Sequence, residues 1–455
     1  MLWGLAIGLA RLHDNSFLTH VATGRLILAH GVPSSDPYTF TAHGHPWVVE
    51  SWLASVLYAL VERAAGGHGL QVLHAALCAA LAAVAWVLTR PARQLVGRVV
   101  AVAAVLAVGS GYWSPRPLLI ALLLFGLLVA MVETGSGATW MAVPLLWVWV
   151  NVHGSWPFAL VYLALRMIGR RLDGRSVGRL PRIAGAAVVG ILLAAANPQG
   201  LRLLAYPLIL LTHHAAFAHV AEWQSPSFSD PVNAAFLAGA VLALLLAFAR
   251  HGTAEDVLVT LVFGAAALVA ARNVAVAALV LTPVLARGLA GLGSLEGSGR
   301  GPVAALALVA LAALGAVLVT GALHRPAYDL SSYPVREVTW MQDRGLVPGR
   351  VATPDYVGNY LEFRYGARAQ AFFDDRVDMF PLPLVRDYET LLAGRSGWQT
   401  VLARYHVDAV LWPRSDPLAR LLAQSHAWEI RLRDRHWVVA VARTPAAPSA
   451  GAATS

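Results

Sequence analysis

Residues 118–133 read LLIALLLFGLLVAMVE, fifteen apolar positions in succession before a charge appears at Glu133. A helix or strand built from such a run has no polar face, so it belongs in hydrocarbon or in a deep core. Outward in both directions the pattern repeats, with further apolar runs at about 68–89, 99–113, 138–150, 155–169, 182–197, 233–249, 254–271, 273–289 and 302–321. Over all 455 residues 58% are hydrophobic and 13% charged, where soluble domains carry about 25% charged. That balance excludes a purely soluble globular chain. It equally excludes intrinsic disorder, which needs low hydrophobicity and high net charge. The single cysteine, Cys78, removes intramolecular disulfides and cysteine-based zinc sites. Arginine alone carries the net charge of +9, because the sequence contains no lysine. These arginines lie between apolar runs, which gives no reason to expect nucleic acid as a partner. The class this predicts is a multi-pass protein of the inner or plasma membrane, with the lipid bilayer as its surroundings.

Composition changes near residue 324. Residues 1–323 hold 18 arginines and 11 carboxylates, whereas 324–455 hold 16 and 14 in far fewer residues. The expected organisation is a transmembrane domain over 1–323 with a long first outer loop at 13–50, a soluble domain over 324–443, and a disordered Ala/Pro/Ser/Thr tail at 444–455. Several apolar runs fall short of the roughly 20 residues of a spanning helix, so their ends are expected to reach into the flanks. The opening run, Met1 to Leu12, reads as a first spanning helix shortened at its start; no basic segment or small-residue cleavage site marks a signal peptide. The basic clusters are Arg90/Arg93/Arg98, then Arg166/Arg170/Arg171/Arg175/Arg179/Arg182, then Arg250, then Arg287/Arg300. The positive-inside rule places all of them in the cytoplasm if there are about eleven spans, with the stretches 51–61 and 201–211 interfacial or re-entrant. The C-terminal domain is then extracytoplasmic.

This topology gathers on the outer face Asp14, Asp36 and Glu50 of the first loop, Arg116 in Ser-Pro-Arg-Pro, Asn151 and His153 in Asn-Val-His-Gly, Asn197, Glu222 and Arg272. Ionisable groups at membrane depth are functional candidates, although each of these alone is also read as a loop residue or helix cap. Asp36 sits in a Ser-Ser-Asp-Pro-Tyr turn, where an aspartate bonds its own backbone. Glu50 begins an apolar stretch and suits a helix N-terminus.

The order of the motifs is more specific than any one of them. Asp14 follows the first helix; Gly31-Val-Pro-Ser-Ser-Asp36-Pro-Tyr-Thr-Phe and Trp47-Val-Val-Glu50-Ser-Trp52-Leu53 complete the loop. Arg116-Pro117, Trp149-Val-Asn151-Val-His153-Gly154, Asn197-Pro198-Gln-Gly200, Glu222-Trp223 and Phe373-Asp374-Asp375-Arg376 come later. Over nearly the whole chain this series resembles bacterial polytopic membrane proteins of the GT-C glycosyltransferase superfamily. The resemblance implies an all-α GT-C-like membrane domain followed by a small α/β domain. It also implies sugar transfer from a polyprenyl-phosphate donor to an extracytoplasmic glycan, lipid or protein acceptor. Asp14 would then match the first-loop acid, as base or as ligand of a divalent metal ion; no other cofactor is implied. Arg116 and Arg272 are the candidates for the donor phosphate, with Asp36, Glu50, Asn151, His153 and Glu222 in support. The chain departs from the pattern in two places. Asn15 follows Asp14, so the Asp-Glu pair of protein O-mannosyltransferases is missing, and no W-W-D-x-G motif supports transfer of oligosaccharide to asparagine.

In the soluble domain, 350–354, 369–374 and 408–412 read as buried strands, with helices near 356–364, 383–393, 397–405 and 416–425 and a hairpin from Trp428 to Arg443. Strands alternating with helices predict a small α/β sandwich. Asp374, Asp375 and Arg376 end the second strand, as a metal or sugar site or, more simply, as a salt-bridged strand end. No glycine-rich phosphate loop, nucleophile elbow or HExxH motif occurs. Two other functions compete with transfer: a lipid-linked glycan transporter or flippase, and a non-catalytic envelope assembly protein. No internal repeat supports the former.

Overall fold

The computed structural model describes residues 1–212, 217, 220–249, 252–292 and 302–443. Arg250, Arg300 and the tail expected after Arg443 lie outside the described residues. The chain forms two units. The first comprises Met1–Val32 and Val48–Asp329, the second Pro33–Trp47 and the chain from Leu330 onward. The boundary expected at 323/324 thus falls six residues later, and the middle of the first loop belongs to the second unit.

All ten long apolar runs form helices in the first unit. Its elements are α1 (Leu2–Gly8), α2 (Asn15–His30), α3 (Trp52–Leu88), α4 (Leu95–Gly109), α5 (Pro117–Thr134), α6 (Ala142–Val152) and α7 (Pro157–Leu172). They continue as α8 (Leu180–Leu193), α9 (Leu201–Thr212), α10 (Pro231–Ala249), α11 (Ala254–Val269), α12 (Val274–Gly288) and α13 (Pro302–Leu323). Proline in the first turn fixes where α5, α7 and α8 begin. Among the described residues five helices are long and apolar enough to cross a membrane: Trp52–Ala92, Leu95–Tyr112, Pro117–Thr134, Pro231–Phe248 and Ala271–Gly288. The expected extension of the short runs occurs in part: 118–133 grows to Pro117–Thr134 and 99–113 gains a start at Leu95, whereas others stay short. Helix α8 keeps 14 residues, about 21 Å at 1.5 Å per residue, where a hydrocarbon core measures roughly 30 Å. The stretch 51–61 lies in a helix of its own that begins at Trp52, parted from the helix that follows by a kink at Gly66 (φ 61°, ψ −158°). That conformation is open to glycine.

The core of this unit is aromatic at its centre. Phe125 of α5 touches Trp149 of α6, Tyr162 of α7 and Phe263 of α11 at ring separations of 5.3–5.9 Å. Helix α12 is the most enclosed of the five long ones. Helix α1 lies directly on α3: a Cβ at Gly4 or Gly8 would run into the α3 backbone at Cys78 and Ala75.

The second unit contains α14 (Val335–Gln342), β1 (Val351–Ala352), α15 (Asp355–Tyr365), α16 (Leu382–Ala393), α17 (Trp398–Arg404), β2 (Ala409–Pro413), α18 (Pro417–Gln424), β3 (Trp428–Arg433) and β4 (Trp437–Ala442). Its sheet runs β1-β2-β4-β3, with β1 and β2 parallel and the other pairs antiparallel. Asp434 closes the expected hairpin by accepting the N–H groups of His436 and Trp437, each at 2.7 Å. One expectation fails: 369–374 is no strand. Gln370 has φ 49°, and Asp374 accepts the N–H of Arg376 at 2.8 Å, so the segment turns at both ends. What survives is Ala371, bridged in parallel to Val351 and, on its other side, to Thr39 of the first loop.

Candidate functional site

Asp14 is the N-cap of α2, where its Oδ1 accepts the N–H of Phe17 at 3.1 Å. Its other oxygen accepts from Arg116 Nε at 2.7 Å. Arg116 stands at the N-cap of α5, held between Pro115 and Pro117. Its Nη1 reaches Glu222 Oε2 at 3.0 Å. Glu222 lies in the short 3-10 turn Ala221–Trp223, and its Oε1 sits 3.7 Å from Arg272 Nη1. The Arg272 guanidinium stacks 4.4 Å over the ring of Trp223. Four residues far apart in sequence therefore form one chain of alternating charge, Asp14–Arg116–Glu222–Arg272, at the N-terminal ends of α5 and α12.

The neighbouring polar residues are fixed rather than loose. Asn151, fully buried at the end of α6, accepts from Trp52 Nε1 at 2.9 Å and donates to the Trp147 carbonyl at 2.8 Å. Glu50 Oε2 accepts the N–H of Gly154 at 2.9 Å. His153 Nδ1 accepts the N–H of Ser155 at 3.1 Å. Lost hydration, helped by the charges of Arg272 and His20, pushes His153 down to about 3. His20, 3.2 Å from Ser55 Oγ, is pushed down to about 4 by lost hydration, which outweighs the opposing pull of Asp14. Two neutral imidazoles thus border the charged chain. Asn197 does not join it: it closes its own turn through Gln199 N–H and the carbonyls of Ala194 and Gly200.

Asp36, Asp374 and Arg376 meet in the second unit. Asp36 makes the expected turn, accepting the N–H groups of Tyr38 and Thr39 at 3.2 and 3.0 Å. It also accepts from Arg376 Nη2 at 2.7 Å, and Asp374 accepts from the same group at 2.6 Å. Glu362 lies 3.7 Å away, and the guanidinium packs 4.4 Å over the Trp47 ring. Asp375 donates its N–H to Asn359 Oδ1 at 3.1 Å. The Asp-Asp-Arg segment is thus a buried ionic joint that ties the first loop to the C-terminal chain, with an arginine where a metal or sugar would have to sit. Among the described residues no group of three or more His, Cys, Asp or Glu side chains is arranged to hold a metal ion.

The sequence reading missed a second ionic cluster in the first unit, at the C-terminal ends of α5 and α12. Glu133 accepts from Arg166 Nη1 at 2.8 Å and from Arg287 Nη1 at 2.7 Å. Asp256 pairs with Arg287, and Glu255 with Arg166, Arg170 and Arg175. Thr253 caps α11 by accepting the N–H of Asp256. Thr-Ala-Glu-Asp before an apolar run is a legible helix start, and it was the available signal.

No family model matches the chain, and no curated protein matches it.

Proposed function

We propose that the first unit is a membrane glycosyltransferase of the GT-C type, moving a sugar from a polyprenyl-phosphate donor to an extracytoplasmic acceptor. The observation that supports this reading is the chain Asp14–Arg116–Glu222–Arg272, with its two arginines partly exposed. A departing lipid phosphate gathers negative charge, and guanidinium groups neutralise it with matching geometry. Arg116 and Arg272 fill that role, in competition with Glu222, whose carboxylate already bridges them. An acceptor hydroxyl must lose its proton as the anomeric carbon is attacked, and Asp14 receives it through lone pairs that Phe17 and Arg116 leave open. The Arg116 and Phe17 contacts fix the direction in which that carboxylate points. A cytoplasmic position of the opposite end is favoured by Arg90, Arg93 and the Arg170–Arg182 group under the positive-inside rule.

A panel of polyprenyl-phosphate sugars given to the purified protein together with a cell-envelope extract as the source of acceptor tests the activity. Release of polyprenyl phosphate with any donor is the expected result, and none with all donors rejects the reading. A reporter fused after Arg443 tests the orientation: it is expected to be active only outside the cytoplasm, and cytoplasmic activity reverses the assignment of faces.

A further inference from the structure

Between α18 and the β3–β4 hairpin the second unit has a cavity of about 200 Å³. Arg414, Arg420 and Arg433 line it with Gln424, over a floor that includes Ile430 and Val438. The three arginines come from three separate places in the fold: the turn just after β2, the middle of α18 and the end of β3. Convergence on one concavity is therefore a property of the fold and not of a basic stretch of sequence.

The charge around it is unbalanced. The second unit as a whole is nearly neutral, with fifteen arginines against fourteen carboxylates. Three other arginines of the unit have carboxylate partners, Arg376 with Asp374, Arg404 with Asp387 and Arg431 with Glu429; what sets the cavity's three apart is that they converge on one hollow. Among the described residues no carboxylate pairs with Arg414, Arg420 or Arg433, and no acid lines the cavity. Two acids close in sequence to these arginines have other partners, Asp434 the backbone of its own turn and Asp416 the hydroxyl of Ser415. Among the described residues Arg414 donates to the Asp434 carbonyl at 3.0 Å, which holds its guanidinium in place without neutralising it. Three like charges around one hollow repel each other, and an anion relieves that repulsion.

We propose that this cavity binds a phosphate monoester carried on a group about the size of one sugar ring. Arginine forks match phosphate oxygens in pairs, Gln424 offers a neutral hydrogen-bonding group, and Ile430 and Val438 suit the carbon face of a ring. The volume is below the roughly 300–1,000 Å³ of drug-sized sites, which limits the ligand to such a small group. The same chemistry is presented by a soluble sugar phosphate and by the headgroup of phosphatidic acid.

The test uses the full chain in phosphatidylcholine nanodiscs, titrated calorimetrically with glucose 1-phosphate and with glucose. The phosphate is expected to bind at least about tenfold more tightly than glucose, and R420Q/R433Q to weaken it at least about tenfold with an unchanged melting temperature. The charge-retaining R420K/R433K is expected to keep part of the affinity, which separates lost charge from lost folding. A parallel arm measures the full chain on phosphatidic acid and phosphatidylcholine vesicles. Binding to the acidic vesicles alone, lost in R420Q/R433Q, also supports the proposal and identifies the lipid as the source. Binding that the double glutamine variant retains, equal binding of glucose, or no binding in either arm overturns it.

Discussion

Helices α5 and α12 carry ionic residues at both ends, roughly 25 Å apart at 1.5 Å per residue, and the two ends are built differently. At the C-terminal end Arg166, Glu133 and Glu255 are 5%, 6% and 3% exposed, and each carboxylate is matched by at least two arginines. At the N-terminal end Arg116 and Glu222 are 29% and 41% exposed, and four residues are joined by single contacts. Buried charges are tolerated where partners surround them, and then they fix geometry. Partly exposed charges in a short chain can exchange a partner for an incoming ion. The first arrangement joins α5, α7, α11 and α12; the second leaves Arg116 and Arg272 partly exposed, as the proposed donor site requires.

The comparison breaks most visibly at the buried end. Arg166→Leu strands Glu133 and Glu255 among fewer partners, and the expected loss is about 3–5 kcal/mol of stability, read as a lower melting temperature in detergent. An unchanged melting temperature would show that the cluster is not a clamp. At the exposed end the same kind of change acts on binding. Arg116→Gln or Arg272→Gln is expected to weaken donor binding by about 1.5 kcal/mol, the lower end of the range for charged hydrogen bonds because both side chains keep contact with water, and to alter melting little. Glu222→Gln, which removes the competing carboxylate, is expected to shift donor affinity the other way. Donor affinity unmoved by all three substitutions takes the pair out of the site.

A further test concerns pH. His20 and His153 ordinarily titrate near 6.5 and are pushed down to about 4 and about 3 in the folded chain. The unfolded chain therefore binds more protons between those values, so stability is full above pH 6.5 and falls as the pH drops below it. Melting curves between pH 7 and 5, above the range where most carboxylates titrate, are expected to show that fall. His20→Gln with His153→Gln is expected to flatten it, and an unaltered slope contradicts the assignment.

Much of this was legible in the residues. The run at 118–133 became α5, 201–211 became α9 despite Pro207, and Asp36 made the turn its neighbours announced. What escaped reading depends on distance along the chain or on one backbone angle. Nothing local marks Asp36 as the partner of Arg376, 340 residues away. The residues at 369–374 read as a strand, and the positive φ of Gln370 (49°) turns the chain there instead. Arg166 and Arg287 were counted as loop charges that set topology, yet both lie within helices and are paired. A rule that counts arginines does not ask what they touch. At the exposed end the candidate residues were readable, but not that Glu222 bridges the arginines or that Asp14 both caps α2 and orients Arg116.

Asp14→Asn is the most direct test of that end as a catalytic site. The substitution keeps the cap, since asparagine caps as well as aspartate, and removes the proton acceptor. Turnover of a polyprenyl-phosphate sugar by the purified variant is expected to fall by about 10²–10⁴-fold while its melting temperature stays near that of the parent. Transfer at the parent rate would leave Asp14 as a helix cap and contradict the account.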